Sequence, residues 1–182
     1  GLHTMLVLDQ AVKMSSDLSV RFAALTHDLG KGSTPKEFLP NHPGHEERSA
    51  EIVADICNRL PVPKACRDFG ILVAKLHTNC HKALKLDFNS ILDLLEKVDA
   101  FRRPQRFENF LIACEADAKG RKGFEESPYP QSDFLRGALA AACSINTNNF
   151  AKEYKGIEIA KAVKQARLSA IKEFMKINKL NK

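Results

Sequence analysis

Apolar residues recur every three or four positions along nearly the whole chain, and no stretch alternates apolar with polar long enough to make a strand. The pattern predicts an all-α fold of about eight helices. The first, Leu2 to Met14, carries Leu2, Met5, Leu6 and Val12 on one face. The second runs from Val20 to Leu29, capped by Asp17 or Ser19 and stopped by Gly30. Prolines and glycines make Gly32 to Gly44 a loop. A third helix spans His45 to Leu60, before Pro61 and Pro63, and a fourth runs from Lys64 to about His77. A fifth covers Asn89 to Arg103, and a sixth Gln105 to Ala118, ended by Gly120. The polar stretch Gly120 to Pro130, rich in glycine and proline, marks a boundary, so the chain divides into a helical bundle, 1–119, and a smaller basic helical tail, 120–182. In the tail, Ser132 caps a helix to about Ser144, and Gly156 precedes a long basic helix to about Asn178.

With 182 residues and 44% hydrophobic content the chain can bury a sizeable core. It has neither an apolar run of about 18 residues nor a charged-then-apolar leader, which points to the cytoplasm and away from a membrane. Cys57, Cys66, Cys80, Cys114 and Cys143 are odd in number, scattered and free of C-x-x-C pairs, and read as reduced core residues. A net charge of +6, with the basic surplus in the second half, favours a phosphate-rich partner, although solvated helix faces account for charge alone equally well.

The string T-H-D-L-G-K-G places His27 and Asp28 side by side at a helix end, and His3 stands in the first turn of the preceding helix. Imidazole and carboxylate suit a divalent cation, and a helix C-terminus adds negative partial charge. On the fifth helix Ile91, Leu92, Leu95 and Val98 form the apolar stripe, and Asp99, four residues after Leu95, continues it. A carboxylate facing a core needs a cation. Either Arg102 and Arg103 supply it as an ion pair, or Asp99 joins His3, His27 and Asp28 as a fourth metal ligand. Asp117 also lies near the apolar face of Phe107, Phe110, Leu111 and Cys114; it is ranked below Asp99 as the fourth ligand and is expected instead to pair with Arg121 or another basic residue. His45 and His77, each near a helix end, would hold a second metal or touch a substrate phosphate, or be ordinary satisfied histidines. His42 and His81 carry no special spacing. Lys31 is placed to meet an anionic substrate, or is simply solvated.

Together these residues resemble the HD superfamily of metal-dependent phosphohydrolases, whose pattern is a lone His, then His-Asp, then a distant Asp. The matches are His3, His27 with Asp28, and Asp99, with V-D-A-F-R-R-P-Q-R as the Asp-bearing helix and N-H-P-G-H-E-E-R-S-A as the third helix. A narrower resemblance covers nearly the whole chain. The strings G-L-H-T-M, R-F-A-A-L-T-H-D-L-G-K-G, F-R-R-P-Q-R-F, E-A-D-A-K-G-R-K-G-F-E and Y-P-Q are similar to the C-terminal half of the bacterial multifunctional CCA-adding enzymes, tRNA nucleotidyltransferases that carry an HD domain. The resemblance implies 2′,3′-cyclic phosphodiesterase, 2′-nucleotidase and phosphatase activities, with nickel or magnesium as the ion and manganese as a further candidate. It also implies a nucleotidyltransferase domain preceding this chain, which starts two residues before His3 and has no strand-borne D-x-D of its own, so that nucleotidyl transfer is not expected of it.

The expected mechanism is phosphoester hydrolysis by metal-activated water. Asp28 would orient or deprotonate the water, and Lys31, His45 and His77 would assist at the phosphate. Arg102, Arg103, Arg106, Arg121 and Lys122, with Lys152, Lys155, Lys161, Lys164, Arg167, Lys172, Lys176 and Lys179 of the tail, are suited to a tRNA backbone. Lys155 and Gly156 before the last helix would present backbone N–H groups to a phosphate, or Gly156 merely permits a turn. The rival reading is a non-catalytic tRNA-binding appendage with a structural metal or none. Self-association is left open.

Overall fold

The computed structural model describes residues 1–150 and 154–180, with the side chains of Asn149, Lys179 and Leu180 outside the description. Lys152 and the Lys179 side chain, counted above among the tail cations, therefore lie outside the described residues. Within them every regular element is helical: α1 (Leu2–Met14), α2 (Leu18–Thr26), α3 (His45–Arg59), α4 (Lys64–His81), α5 (Phe88–Val98), α6 (Pro104–Lys119), α7 (Pro130–Cys143) and α8 (Ile157–Leu180). Short 3₁₀ turns lie at Leu29–Ser33, Lys36–Phe38, Ala83–Lys85 and Thr147–Asn149. Among the described residues no helix is long and apolar enough to cross a membrane.

Several helix ends differ from the periodicity, each for a local reason. Asp17 caps α2 by accepting from the Ser19 N–H at 2.8 Å, so the helix begins at Leu18. It closes at Thr26, leaving His27 as the C-cap and Asp28 in the turn beyond. α4 continues one turn past His77 to His81, which puts these two histidines at i and i+4 on one face. α5 stops at Val98 rather than Arg103. Asp99 adopts a left-handed φ of 63° as its C-cap, and Arg103, preceding Pro104, is held out of the helical region. α7 starts at Pro130, two residues before Ser132, because proline at a first helical position loses no hydrogen bond.

α4 packs on α2 and α3, α1 packs on α2 and α6, α7 and α8 pair with each other, and α8 also lies on α5. One apolar cluster runs through the bundle: Val7 and Ala11 of α1, Ala23 and Ala24 of α2, Leu92 and Leu95 of α5, and Phe107, Phe110 and Leu111 of α6. Leu135 and Ala138 of α7 and Ile171 of α8 are fully buried in the same cluster, so the helices of the tail share the core of the first 119 residues.

Two glycines bring the functional end together. A Cβ at Gly120 would stand 2.4 Å from Val7 Cγ2 and 2.7 Å from the Val7 backbone, so α1 is seated directly on the end of α6. A Cβ at Gly30 would stand 2.4 Å from the His45 carbonyl and 2.6 Å from the Ser49 N. Gly30 was expected as a helix stop, yet it serves a close approach between the turn after His27 and the first turn of α3, sealed by its N–H donating to Ser49 Oγ at 2.8 Å. Arg48 ties the following loop to α3 by donating to the carbonyls of Gly30 (3.2 Å) and Pro43 (2.7 Å) and to Thr34 Oγ1 (3.0 Å).

In both cases the obstructing atoms include backbone, which cannot rotate away. Gly120→Ala and Gly30→Ala are each expected to lower the unfolding free energy by about 1–3 kcal/mol, an overpacking cost. Gly32→Ala, with open space around its Cβ, should lie within about 0.5 kcal/mol of the parent. Urea unfolding followed by circular dichroism in the presence of chelator measures all three, and an unshifted midpoint for Gly120→Ala would contradict the seating of α1.

Candidate metal centre

Five helix ends converge on one spot. The first turn of α1 brings His3, the end of α2 His27 and Asp28, the first turn of α3 His45, the last turns of α4 His77 and His81, and the last turn of α6 Asp117. Three of these ends are C-terminal, and their unpaired carbonyls add negative partial charge near the two carboxylates. The centre as a whole favours a cation.

The carboxylates lie between the imidazoles. Asp117 Oδ1 is 3.0 Å from His3 Nε2 and 3.4 Å from His27 Nε2. Asp28 Oδ2 is 3.3 Å from His27 Nε2 and 2.6 Å from Lys31 Nζ, and Asp28 Oδ1 is 3.4 Å from His45 Nε2 and 3.5 Å from His77 Nε2. Three sets of possible ligand atoms each fall within 4.8 Å of one another: His3, His27 and Asp28; His27, His77 and Asp117; Asp28, His45 and His77. Asp28 and His77 therefore belong to more than one set, as does His27, an arrangement able to bridge two ions.

The histidine tautomers are dictated by the backbone. Nδ1 of His3 donates to the Gly120 carbonyl at 3.0 Å, that of His27 to Ala24 at 2.9 Å, and that of His45 to His42 at 2.9 Å. His77 Nδ1 rests on the carbonyls of Val73 and Ala74 at 3.1 and 3.0 Å. A carbonyl only accepts, so each Nδ1 carries the hydrogen and each Nε2 turns a lone pair inward, as in metal-bound histidine whose outer nitrogen is held by a carbonyl. His27 Nε2, His45 Nε2, Asp28 Oδ1 and Asp117 Oδ1 are buried and make no hydrogen bond. Buried polar atoms left in this way are costly, and four gathered at one point fit a bound cation.

Electrostatics agrees. Burial opposes charge at Asp28 and Asp117, but the surrounding imidazoles outweigh it, His27 first in each case, and hold both carboxyls far below the usual range. Burial likewise lowers the His27 value, yet the facing carboxylates of Asp117 and Asp28 override it and lift the imidazole to about 10.

The structure brings His3, His27, Asp28, Lys31, His45 and His77 together, as their positions in the sequence suggest. It does not bring Asp99. The left-handed turn at Asp99 breaks the helical phase that would have carried it along the apolar stripe, and its carboxylate instead accepts from Arg102 Nε at 2.7 Å, with Arg103 Nε at 3.3 Å. Asp117 stands in the cluster in its place. It is 4% exposed and meets three histidines, not Arg121. Its signal was present, since α6 is unbroken and Asp117 falls seven residues after Phe110 and three after Cys114, both fully buried. His81 also belongs here: Nε2 lies 2.7 Å from Asp117 Oδ2 and Nδ1 lies 2.8 Å from the Tyr129 hydroxyl. His42 stays outside, bonded to Thr34 Oγ1.

The cluster is part buried and part open. His27, His77 and Asp117 are buried, whereas the His3 and Lys31 side chains are 36% and 38% exposed. There His3 and Lys31 line a cleft with Gly120, Arg121 and Lys122. Arg103 and Arg106 line a different cleft, with Asp68 and Asn109, while Lys155 is exposed ahead of Gly156, whose φ of 56° is that of a turn.

The family model described as HD domain matches residues 1–118. The Multifunctional CCA protein of Thioalkalivibrio sulfidiphilus is 49% identical over 174 residues, which is 95% of this chain and 42% of that protein. Those of Nitrosococcus oceani and Ralstonia nicotianae are 51% and 50% identical, over 95% and 94% of this chain and 43% and 40% of their own lengths. The chain therefore spans about two fifths of the curated relatives it matches, and no solved structure matches it. With a family match over residues 1–118 and His3, His27 with Asp28, and Asp117 gathered inside it, the chain belongs to the HD domain family.

Proposed function

We propose that this chain is a metal-dependent phosphohydrolase acting on phosphoester ends of RNA, within a protein of the CCA-adding kind. The observation that carries the reading is the set of inward-facing, unbonded atoms on His27, Asp28, His45 and Asp117. His3, His27, Asp28 and Asp117 would hold one divalent ion, and Asp28 with His45 and His77 is arranged for a second. When bound, the ion supplies a Lewis acid for a phosphoryl oxygen and acidifies water, which is chemistry these side chains lack by themselves. The chain's own residues position the substrate. Lys31, bonded to Asp28, stands at the open side with Arg121 and Lys122, so a phosphate entering past His3 meets three cations before it reaches the centre.

The substrate classes proposed are 2′,3′-cyclic phosphates, 2′-nucleotides and simple phosphomonoesters, with nickel, magnesium or manganese as the ion. The resemblance to Multifunctional CCA proteins supports tRNA as the macromolecular partner and a cytoplasmic setting. Arg102, Arg103, Arg106 and Lys155 are assigned to its backbone rather than to the reaction, and nucleotidyl transfer is assigned to the part of such proteins that this chain does not span.

Loading the chelator-stripped protein with nickel, magnesium or manganese is expected to produce hydrolysis of 2′,3′-cyclic AMP. Asp117→Asn should lose metal retention and turnover together, by about 100-fold or more, since even outer partners of a metal site carry 10- to 100-fold. Asp99→Asn should retain both within about twofold, because the pair it breaks is a surface one. A folded wild type that retains tRNA binding but is inert with all three ions would favour the non-catalytic appendage. Separately, the Arg121→Ala, Lys122→Ala double variant should raise KM roughly threefold to tenfold with kcat held, and the difference should shrink as salt rises. A drop in kcat at constant KM would place these residues in the reaction itself.

A further inference from the structure

The metal centre proposed above has a support that originates beyond residues 1–118, the span of the family match. His81 closes α4, and its 2.7 Å approach to Asp117 Oδ2 is the shortest histidine-to-carboxylate contact among the described residues. A carboxylate oxygen at that distance accepts, so Nε2 of His81 carries a hydrogen. An imidazole nitrogen spent in this way is no metal ligand. His81 sits in the cluster by position but acts on Asp117, leaving Oδ1 of that carboxylate free of hydrogen bonds between His3 and His27.

The outer nitrogen of His81 separates it from the other histidines of the cluster. Those rest Nδ1 on backbone carbonyls, whereas His81 Nδ1 meets the Tyr129 hydroxyl at 2.8 Å. Tyr129 lies 48 residues further along the chain, immediately before Pro130 opens α7. Its ring stands edge-on to His81 with centroids 5.8 Å apart, its hydroxyl also reaches Cys80 Sγ at 3.5 Å, and Gln131 Nε2 donates to the His81 carbonyl at 3.2 Å. α7 is held in turn by α8 and by the turn at Ala83–Lys85. The path from the tail to the centre is therefore continuous, from α7 through Tyr129 and His81 to Asp117.

We infer that Tyr129 is a positioning residue that fixes the His81 imidazole, and through it the ligating oxygen of Asp117, so that the helical tail sets the geometry of the metal centre. Without the hydroxyl, His81 retains its place on α4 but loses the partner that selects its ring orientation, and Asp117 gains freedom to turn Oδ1 away. The effect falls on metal affinity and coordination geometry before it falls on folding.

Cobalt(II) serves as the probe, because its visible absorption reads coordination and chelator competition gives its dissociation constant. Tyr129→Phe keeps the ring and removes only the hydroxyl. It is expected to weaken cobalt binding about 10-fold to 100-fold and to change the visible band, while the unfolding midpoint of the metal-free protein, measured by circular dichroism, stays near that of the wild type. His81→Ala should weaken binding at least as far, and Tyr129→Phe added to it should cost less than about twofold more, because the hydroxyl then has no imidazole to hold. Wild-type binding unchanged in a folded Tyr129→Phe overturns this inference alone, as does a full additional loss in the double variant. Failure of the wild type to bind cobalt overturns the metal reading and this inference with it.

Discussion

Two carboxylates buried in a helical bundle constrain everything around them. Asp117 is buried and Asp28 nearly so, and an ion left unpaired there costs several kcal/mol even after relaxation. The fold answers by aiming five imidazoles at them from α1, α3, α4 and the end of α2, and one lysine from the 3₁₀ turn Leu29–Ser33. The answer is incomplete, because four of the atoms so gathered make no hydrogen bond. A divalent cation, as proposed above, would complete it.

Convergence of so many helix ends requires close backbone approach, which explains the two glycines at the centre's edges. Gly120 lets α1 lie against the end of α6, so that its own carbonyl orients His3. Gly30 lets the turn after Asp28 lie against α3, which brings His45 within reach of Asp28. His3 and Lys31 stand at an open side, with Arg121 and Lys122 beyond them, so basic residues line one approach to the cluster.

Much of the centre was legible along the chain. The adjacent His27 and Asp28 at a helix end, His3 in the first turn of α1, and His45 and His77 near helix ends all came from local pattern, and all meet in space. Asp99 misled for an instructive reason. Spacing from Leu95 specifies a face only while the helix continues, and Asp99 is the residue at which α5 gives way to a left-handed turn. Asp117 followed the same logic on a helix that does continue, and there the logic holds. His81 was invisible because α4 had been expected to end a turn earlier, and Tyr129 because its partner lies 48 residues away.

The sequence by itself determined the helical class, most helix positions and the residue types of a cation site, since period, caps and prolines act within a few residues of one another. Only the tertiary structure decided which aspartate joins the histidines, which imidazole nitrogens face inward, and that the tail shares the core and reaches His81 through Tyr129. Those outcomes depend on the angle at which one helix end meets another. That angle is set by long-range packing, including the contact of Gly120 with Val7 and of Gly30 with α3, which no local pattern encodes.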